Sequence, residues 1–407
     1  NSKGRDLGGC FDDDNVVYTI YEDPAPDAGD DMAFCNTFAF TLYGIGDEPC
    51  YEETVVVYTW EKTSEPGNCL ITFNDANILT PLVTISECDD ECEYGEYVFT
   101  LNQANGYYNE NEQFVEVCES SDEVSVWVLE DVVANAGDDL RLCNDFAFTL
   151  TAIPTDFCGE AGVNYFAGGY WEYVGDIPAT VTFDDSNDPE TGVTITDAPA
   201  CPWGKYTFRW HEYNKVEVNN EEIGCEDYDD VDVYIYEQPD VDAGNDLYYC
   251  NTFEFQLDGI IDELCTEGWS YIIEWELISQ PGTCDVDFET ESIEDPLVYI
   301  SECSPCQYGE YVFRMTQYNG YYAQVGDMIR FFPICEDSDE VSVWIFEQPM
   351  DVDAGEDLYL CNDFAFSLTA VGYDYCGDFG VNYNNYYSWT LESQPEGAQC
   401  DVVITDP

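Results

Sequence analysis

The chain has 407 residues, of which 87 are acidic and nine are basic, so its formal net charge at pH 7 is −78. A surface of this sign repels nucleic acids and anionic membranes and excludes both as favourable partners, whereas divalent cations, basic proteins or a saline medium suit it. Hydrophobic residues make up 45% of the chain, which is enough to form cores, so the charge does not indicate disorder. In an alternative interpretation the charge simply keeps a very long protein soluble.

One stretch recurs along the chain at the spacing of a small domain. It reads DAGDDMAFCNTFAFTLYG from Asp27 and returns in closely similar form from Asn135, Asp242 and Asp353. Such a recurrence predicts a tandem array of like domains. We expect the last strand of a preceding domain at 1–23, complete domains at 24–131, 132–238 and 239–349, and the N-terminal part of a fourth at 350–407. The last four ranges are called modules 1 to 4 below.

Within module 1 the chain alternates short strands and turns. Strands B, C, F and G of a sandwich are predicted at 39–44, 55–62, 95–103 and 123–130, with a D–E hairpin, LITFND and PLVTISE, between C and F. About seven such strands are typical of an all-β, immunoglobulin-like β-sandwich. A tryptophan on strand C is expected in each core, and Gly-x-Tyr-x-Phe at the start of F predicts a tyrosine corner. The tryptophans are Trp60, Trp171, Trp275 and Trp389, and the tyrosines are Tyr97, Tyr206 and Tyr311.

The 20 cysteines indicate an oxidising compartment, because so many are unusual in a reducing cytosol. No apolar run is long enough to cross a bilayer, and the sequence contains neither a signal peptide nor an Asn-x-Ser/Thr sequon. The many cysteines, together with the incomplete domains at 1–23 and 350–407, lead us to expect a segment of a longer secreted protein, extracellular or on the cell surface.

The cysteines are predicted to form a disulfide framework inside each module, because every complete module holds an even number of them. Module 2 lacks counterparts of Cys69 and Cys88, which favours a bond between those two. Sandwich topology places Cys35 and Cys92 at one end and Cys50 and Cys118 at the other. The predicted pairs are Cys35–Cys92, Cys50–Cys118, Cys69–Cys88, Cys143–Cys201, Cys158–Cys225, Cys250–Cys306, Cys265–Cys335 and Cys284–Cys303. The alternatives are a Cys35–Cys118 type of pair or bridges between neighbouring modules.

Calcium is the one cofactor that the sequence suggests. Acidic residues concentrate in the links between modules, where Ca²⁺ could collect oxygen ligands and stiffen the array. The candidate ligands are Asp27, Asp31, Asp139, Asp242, Asp246, Asp353 and Asp357. In the alternative interpretation these side chains accept hydrogen bonds within a turn.

Catalysis is not expected, because the single histidine, His211, has no counterpart in the other modules. Predicted loops rich in tyrosine and asparagine, such as 105–114, are the other candidate surface, since these residues make adaptable contacts with glycans or proteins. The candidate contact residues are Tyr107, Tyr108, Tyr165, Tyr321, Tyr322 and Tyr383. They could equally pack module against module, or chain against chain in a filament.

The chain resembles the Ig-like or PKD-like repeats of giant Bacteroidota surface adhesins, including the SprB-type gliding-motility adhesins. The resemblance rests on DAGxD…C followed by an apolar strand, the strand C tryptophan, the Gly-x-Tyr-x-Phe strand and a closing Cys-x5–6-Val-x-Val strand. It implies export by the type IX system and a non-enzymatic stalk or fibre in a surface adhesin. The extra cysteines, the many tyrosines and the acidity depart from the pattern, and the acidity suggests a salt-loving host. The alternatives are a self-assembling extracellular filament or sheath, and a glycan-binding module.

Overall fold

The computed structural model describes residues 14–50, 53–88, 92–158, 165–265, 269–304, 306–348, 353–361, 363–372, 376, 387–396 and 401–405. The regular elements in these ranges are β-strands. The described residues contain no helix that could span a membrane. The all-β prediction is confirmed.

Seven strands form two facing sheets in module 1. They are β1 (Met32–Cys35), β2 (Ala39–Thr41), β3 (Val55–Ser64), β4 (Leu70–Phe73), β5 (Leu82–Ser86), β6 (Gly95–Tyr108) and β7 (Phe114–Leu129). One sheet has the order β1-β7-β6-β3 and the other the order β2-β5-β4. β1 runs parallel to β7, while β6 pairs antiparallel with both β7 and β3. In the sandwich lettering, β2 to β7 are strands B to G.

Modules 2 and 3 repeat this arrangement strand for strand. Module 2 has β8 (Leu140–Cys143), β9 (Ala147–Thr151), β10 (Tyr165–Tyr173), β11 (Thr180–Phe183), β12 (Glu190–Thr196), β13 (Gly204–Val218) and β14 (Glu221–Tyr236). Module 3 has β15 (Leu247–Cys250), β16 (Glu254–Gln256), β17 (Ser270–Ser279), β18 (Thr283–Phe288), β19 (Leu297–Ser304), β20 (Gly309–Val325) and β21 (Met328–Phe346). The sheet orders are β8-β14-β13-β10 with β9-β12-β11, and β15-β21-β20-β17 with β16-β19-β18. The chain is thus a tandem array of immunoglobulin-like sandwiches.

Alternating residues of the two sheets fill each core. In module 1, Tyr97, Phe99 and Leu101 of β6 are fully buried, because a strand directs every second side chain to the same face. The strand C tryptophans Trp60, Trp171 and Trp275 are buried among them, as predicted.

A tyrosine corner occurs in all three modules, as the sequence predicts. The hydroxyl of Tyr97 donates to the carbonyl of Glu93 at 2.6 Å, and Tyr206 and Tyr311 make the same bond at 2.7 and 2.8 Å. Burial raises the pKa of Tyr206 and of Tyr311 to about 12, because the phenolate would lose its hydration. The same cause raises the pKa of Tyr97.

The F–G hairpins are longer than predicted. In module 1 strand F continues past 103 to Tyr108 and strand G begins at Phe114, so half of the tyrosine-rich segment 105–114 is strand rather than loop. The turn is closed by Asn109, whose side-chain oxygen accepts from the amides of Asn111 and Gln113. A side chain at Gly106 would clash with the carbonyl of Val115, so glycine permits this close strand pairing.

Candidate functional site: the joint between modules

The recurring Ala-Gly-x-Asp motif shapes the entry of the chain into each sandwich. Gly29, Gly137, Gly244 and Gly355 have φ between 84° and 90°, where a β-carbon is strained. A side chain at Gly29 would also lie 2.5 Å from the carbonyl of Tyr43. The alanine before the glycine is 1% exposed at Ala28, Ala136 and Ala243. The motif therefore has a structural role.

A buried asparagine on strand F holds the link that precedes each module. The Nδ2 of Asn319 donates to the carbonyl of Glu237 at 2.9 Å, and Asn319 is fully buried. Asn214 makes the same bond to Glu130 at 2.8 Å, and Asn105 to Glu22 at 3.1 Å. Each joint therefore has the strand F of one module fastened to the end of the strand G before it.

The side chain of the same link glutamate holds a cysteine. Its Oε2 accepts from the backbone amide of the cysteine that follows strand B. The distances are 3.4 Å for Glu22 and Cys50, 2.8 Å for Glu130 and Cys158, 3.2 Å for Glu237 and Cys265, and 3.0 Å for Glu347 and Cys376. One glutamate thus positions both the strand and the cysteine at the joint.

These asparagines and glutamates were missed by the sequence reasoning, although a signal was present. The glutamate recurs in YEDP, LEDV, YEQP and FEQP, at Glu22, Glu130, Glu237 and Glu347. With 87 acidic residues in the chain, the recurrence of one glutamate is not distinctive enough to indicate a role.

The predicted calcium ligands accept backbone hydrogen bonds. Oδ1 of Asp31, Asp139 and Asp246 accepts from the strand G amides of Ser125, Asp232 and Ser342 at 2.8, 3.0 and 3.1 Å. Oδ1 of Asp27, Asp242 and Asp353 accepts at 2.9 Å from the glycine two residues later. Asp357 is exposed. The bonds of Asp27, Asp242 and Asp353 lie within a turn, as in the alternative interpretation, whereas those of Asp31, Asp139 and Asp246 reach across the module to strand G. Calcium binding stays a prediction.

Most disulfides cross from one module to the next. Cys35 bonds to Cys225 and Cys92 to Cys158, so two bonds join modules 1 and 2. Cys143–Cys335 and Cys201–Cys265 join modules 2 and 3 in the same way, and Cys306–Cys376 joins modules 3 and 4. The bonds Cys69–Cys88 and Cys284–Cys303 lie inside modules.

Two of the eight predicted pairs are therefore confirmed, Cys69–Cys88 and Cys284–Cys303. The other six are wrong, namely Cys35–Cys92, Cys50–Cys118, Cys143–Cys201, Cys158–Cys225, Cys250–Cys306 and Cys265–Cys335. An even count per module does not require pairing inside it, because two cysteines at one end of each module can meet two at the facing end of its neighbour. The bridges between neighbouring modules, which the sequence left as an alternative, are what the structure contains.

Apolar side chains seal the joint between modules 1 and 2. Val216 and Val218, at the tip of the module 2 hairpin, are 0% and 4% exposed and pack against Trp127 and Leu129 at the end of module 1 and against Val132 in the link. The tip also reaches the module 1 link, where the Nδ2 of Asn219 donates to the carbonyl of Asp31 at 3.2 Å. The module 2 hairpin thus extends back onto module 1.

An aromatic cluster seals the joint between modules 2 and 3. The ring of Tyr321, in the module 3 hairpin, lies 6.4 Å from that of Tyr236 in module 2. The guanidinium of Arg141 lies 4.6 Å from the Tyr321 ring, a cation–π contact. Trp269 lies 4.1 Å from Tyr236 on another side. The two joints use different side chains at corresponding positions, since Tyr321 holds the position of Val216.

The predicted contact tyrosines fall mainly on the hairpins. Tyr321 lies inside a joint, whereas Tyr107, Tyr108 and Tyr322 are 43%, 58% and 54% exposed. Tyr165 begins β10, opposite Val216. Tyr383 lies outside the described residues.

Four cysteines have no disulfide within the described part of the chain: Cys50, Cys118, Cys250 and Cys361. The Glu22 carboxylate raises the pKa of the Cys50 thiol, because it accepts a hydrogen bond from the thiol and because its negative charge disfavours the thiolate. Burial, followed by a hydrogen bond to Asp23, raises the pKa of the Cys118 thiol. Both groups are therefore kept as thiols rather than thiolates near neutral pH.

The single histidine lies in a row of cross-strand polar pairs on the surface of module 2. His211 Nε2 lies 2.9 Å from a Glu172 carboxylate oxygen, and its ring stacks on Tyr170 at 4.5 Å. Arg209 forms a bidentate pair with Asp230, and Lys215 pairs with Glu226. An open cleft of about 360 Å³ lies beside this row. Arg209 and Lys215 are thus each paired with a carboxylate of the neighbouring strand.

No protein-family model matches the chain, and no curated protein matches it. Similar solved structures include tandem immunoglobulin domains. For a mutated I67–I69 fragment of titin, the identity is 10%, the coverage 80% of this chain and 99% of that chain, and the TM-score 0.38. For Drosophila OTK extracellular domains 3–5 the values are 11%, 81%, 99% and 0.29. For Sidekick-1 immunoglobulin domains 1–5 they are 9%, 81%, 60% and 0.31.

Proposed function

We propose that the chain is a load-bearing segment of a large secreted bacterial surface adhesin, and that it works as a tether of fixed length. The observation that carries this proposal is the pair of disulfides across each complete joint. Disulfides persist in an oxidising, extracellular setting, which agrees with such a location. Export by the type IX system and a role in gliding motility are the finer parts of the proposal, and they rest on the sequence resemblance.

The disulfides give tension a short covalent route through the array. From Cys35 the route crosses to Cys225, follows the backbone from 225 back to 201, and crosses again to Cys265. The sandwich of module 1 beyond Cys35 and most of module 2 lie off this route. The backbone segment 201–225 that carries the load is strand F and the hairpin tip of module 2.

This route limits how far the chain can extend. A fully extended backbone spans at most about 3.5 Å per residue, so residues 201–225 reach about 80 Å. Without the crossing bonds, the backbone from 35 to 265 would extend to about 800 Å. An immunoglobulin-like array without such bonds can lengthen by unfolding its modules, whereas this one holds its reach even when a sandwich opens.

Single-molecule pulling between the two ends of the chain tests the proposal. We expect the oxidised chain to show no unfolding step longer than about 100 Å, and the reduced chain to show steps of about 300 Å, one per module. The Cys69→Ser, Cys88→Ser double variant is the matched control, because it removes a disulfide inside a module and should leave the short steps unchanged. Long steps in the oxidised protein would refute the tether.

A further inference from the structure

The hairpin end of module 1 has the parts of a joint but no partner module among the described residues. Cys118 lies opposite Asn105 in the strand register, as Cys225 lies opposite Asn214 and Cys335 opposite Asn319. Cys225 and Cys335 are each bonded to the module before their own, whereas Cys118 has no disulfide.

The second cysteine of this end shows the same correspondence. The Cys50 amide donates to Glu22, as the amides of Cys158 and Cys265 donate to the glutamates of their links. Cys158 and Cys265 are bonded to the preceding module, and Cys50 is exposed without a disulfide. The hydrogen bonds of a joint are therefore already formed around both thiols.

The hairpin tip of module 1 is also uncovered. Tyr107 holds the position of Val216 and Tyr321, two residues after the strand F asparagine. Val216 is fully buried against module 1, and Tyr321 packs against module 2, whereas Tyr107 is 43% exposed. Exposed aromatic surface next to two unpaired cysteines matches the inner joints with one module removed.

The segment before module 1 identifies the missing partner. Val16, Tyr18 and Ile20 are 71%, 84% and 88% exposed, although they occupy the positions of Val124, Val126 and Val128, which are at most 1% exposed. The alternating apolar residues of 14–21 are thus those of a strand G whose sandwich is absent from the described structure.

This segment already approaches module 1 as a strand G approaches the next module in an inner joint. The rings of Tyr21 and Tyr107 lie 6.3 Å apart with a 30° angle between their planes. Their counterparts across the joint between modules 2 and 3, Tyr236 and Tyr321, lie 6.4 Å apart at 36°. The same contact therefore recurs at the unfilled end.

We propose that the end of module 1 formed by Cys50, Cys118 and the tip residues Tyr107 and Tyr108 binds a module of this same design, the one that residues 14–21 complete as strand G. Two disulfides close this joint. Cys118 bonds to the cysteine that follows the Ala-Gly-x-Asp motif of that module, and Cys50 bonds to the cysteine before its strand F. Each bond forms by oxidation of two thiols, with loss of two protons and two electrons to an oxidant of the secretory compartment, a disulfide carrier.

This assignment goes beyond the tether, because it rests on the geometry of the joint and holds whether or not the array carries load. Disulfide mapping of the full-length secreted protein, alkylated without reduction, tests it. We expect the peptides of Cys118 and of Cys50 each to be linked to a peptide from the sequence upstream of residue 1. A Cys50–Cys118 bond, or alkylation of both thiols in the full-length protein, would overturn the proposal.

Two further measurements separate the possible partners. A mixture of ¹⁵N-labelled and unlabelled protein should give linked peptides of a single isotope, since mixed pairs would show that a second copy binds instead. In the 407-residue chain alone, a maleimide should label Cys50 and Cys118 completely and leave Cys158 and Cys225 unlabelled. Absence of labelling at Cys50 and Cys118 would mean that they already form disulfides within the 407-residue chain, with each other or with another cysteine, which would also overturn the assignment.

Discussion

Asn319 donates from Nδ2 to the carbonyl of Glu237 at 2.9 Å, and this bond joins a fully buried side chain of module 3 to the link that follows the last strand of module 2. The side-chain Nε2 of Gln317 donates in turn to Oδ1 of Asn319 at 3.0 Å. A joint held by buried polar groups resists bending because each lost bond leaves an unpaired group away from water.

We expect Asn319→Ala to lower the free energy of unfolding by roughly 1–3 kcal/mol, since the Glu237 carbonyl and the Gln317 amide each lose a partner. Chemical denaturation of the oxidised protein measures this. Asn77→Ala is the matched control, because Asn77 lies in an exposed turn, and it should change the free energy much less. Equal effects of the two variants would mean that the buried bond contributes nothing particular to the joint.

Cleavage in the link between modules 1 and 2 should not separate the two fragments. A recognition site for a sequence-specific protease, inserted after Asp131, allows a single cut in this link, and Cys35–Cys225 and Cys92–Cys158 bridge the cut. We expect one band on a non-reducing gel and two after reduction.

Cys35→Ser combined with Cys92→Ser should release the fragments without reductant, whereas Cys69→Ser combined with Cys88→Ser should not. Separation of the wild-type fragments without reductant would restore the pairing inside modules that the sequence favoured.

The sequence predicts the sandwich well because its signals are local. The position of Trp60, the bond made by Tyr97 and the Cys69–Cys88 hairpin staple all follow from patterns within a few strands. The joints could not be predicted in the same way, since Cys35 and Cys225 are 190 residues apart and meet only when two modules stack. Topology indicates at which end of a module each cysteine lies. The relative placement of the modules depends on the length of the F–G hairpin, and the sequence underestimates that length because the predicted strand F ends at 103, before Tyr107 and Tyr108.

The tyrosine corners make stability sensitive to alkaline pH. Tyr206 and Tyr311 have pKa values of about 12 in the fold, against about 10 in an unfolded chain. A folded pKa above the unfolded one means that the stabilisation is complete below pH 10 and is lost as the pH rises from 10 to 12. We expect the urea midpoint to fall over this window.

Tyr206→Phe should flatten the dependence on pH above 10 while lowering stability at pH 7 through the lost bond to the Pro202 carbonyl. Tyr322→Phe, at an exposed position, is the control and should leave the alkaline slope unchanged. Absorbance at 295 nm should show the buried tyrosines ionising only as the chain unfolds, and ionisation in the folded state near pH 10 would contradict the assignment.

Calcium can be separated from hydrogen bonding at Asp139, whose Oδ1 accepts from the amide of Asp232 at 3.0 Å. In excess chelator we expect Asp139→Ala to lower the free energy of unfolding by about 1–2 kcal/mol, since the amide loses a charged acceptor. If calcium also binds at the link, 2 mM is about the concentration at which an extracellular site fills, and it should raise the wild-type melting temperature but not that of the variant. An equal response of both proteins to calcium would place any bound ion elsewhere and leave Asp139 with the hydrogen bond alone.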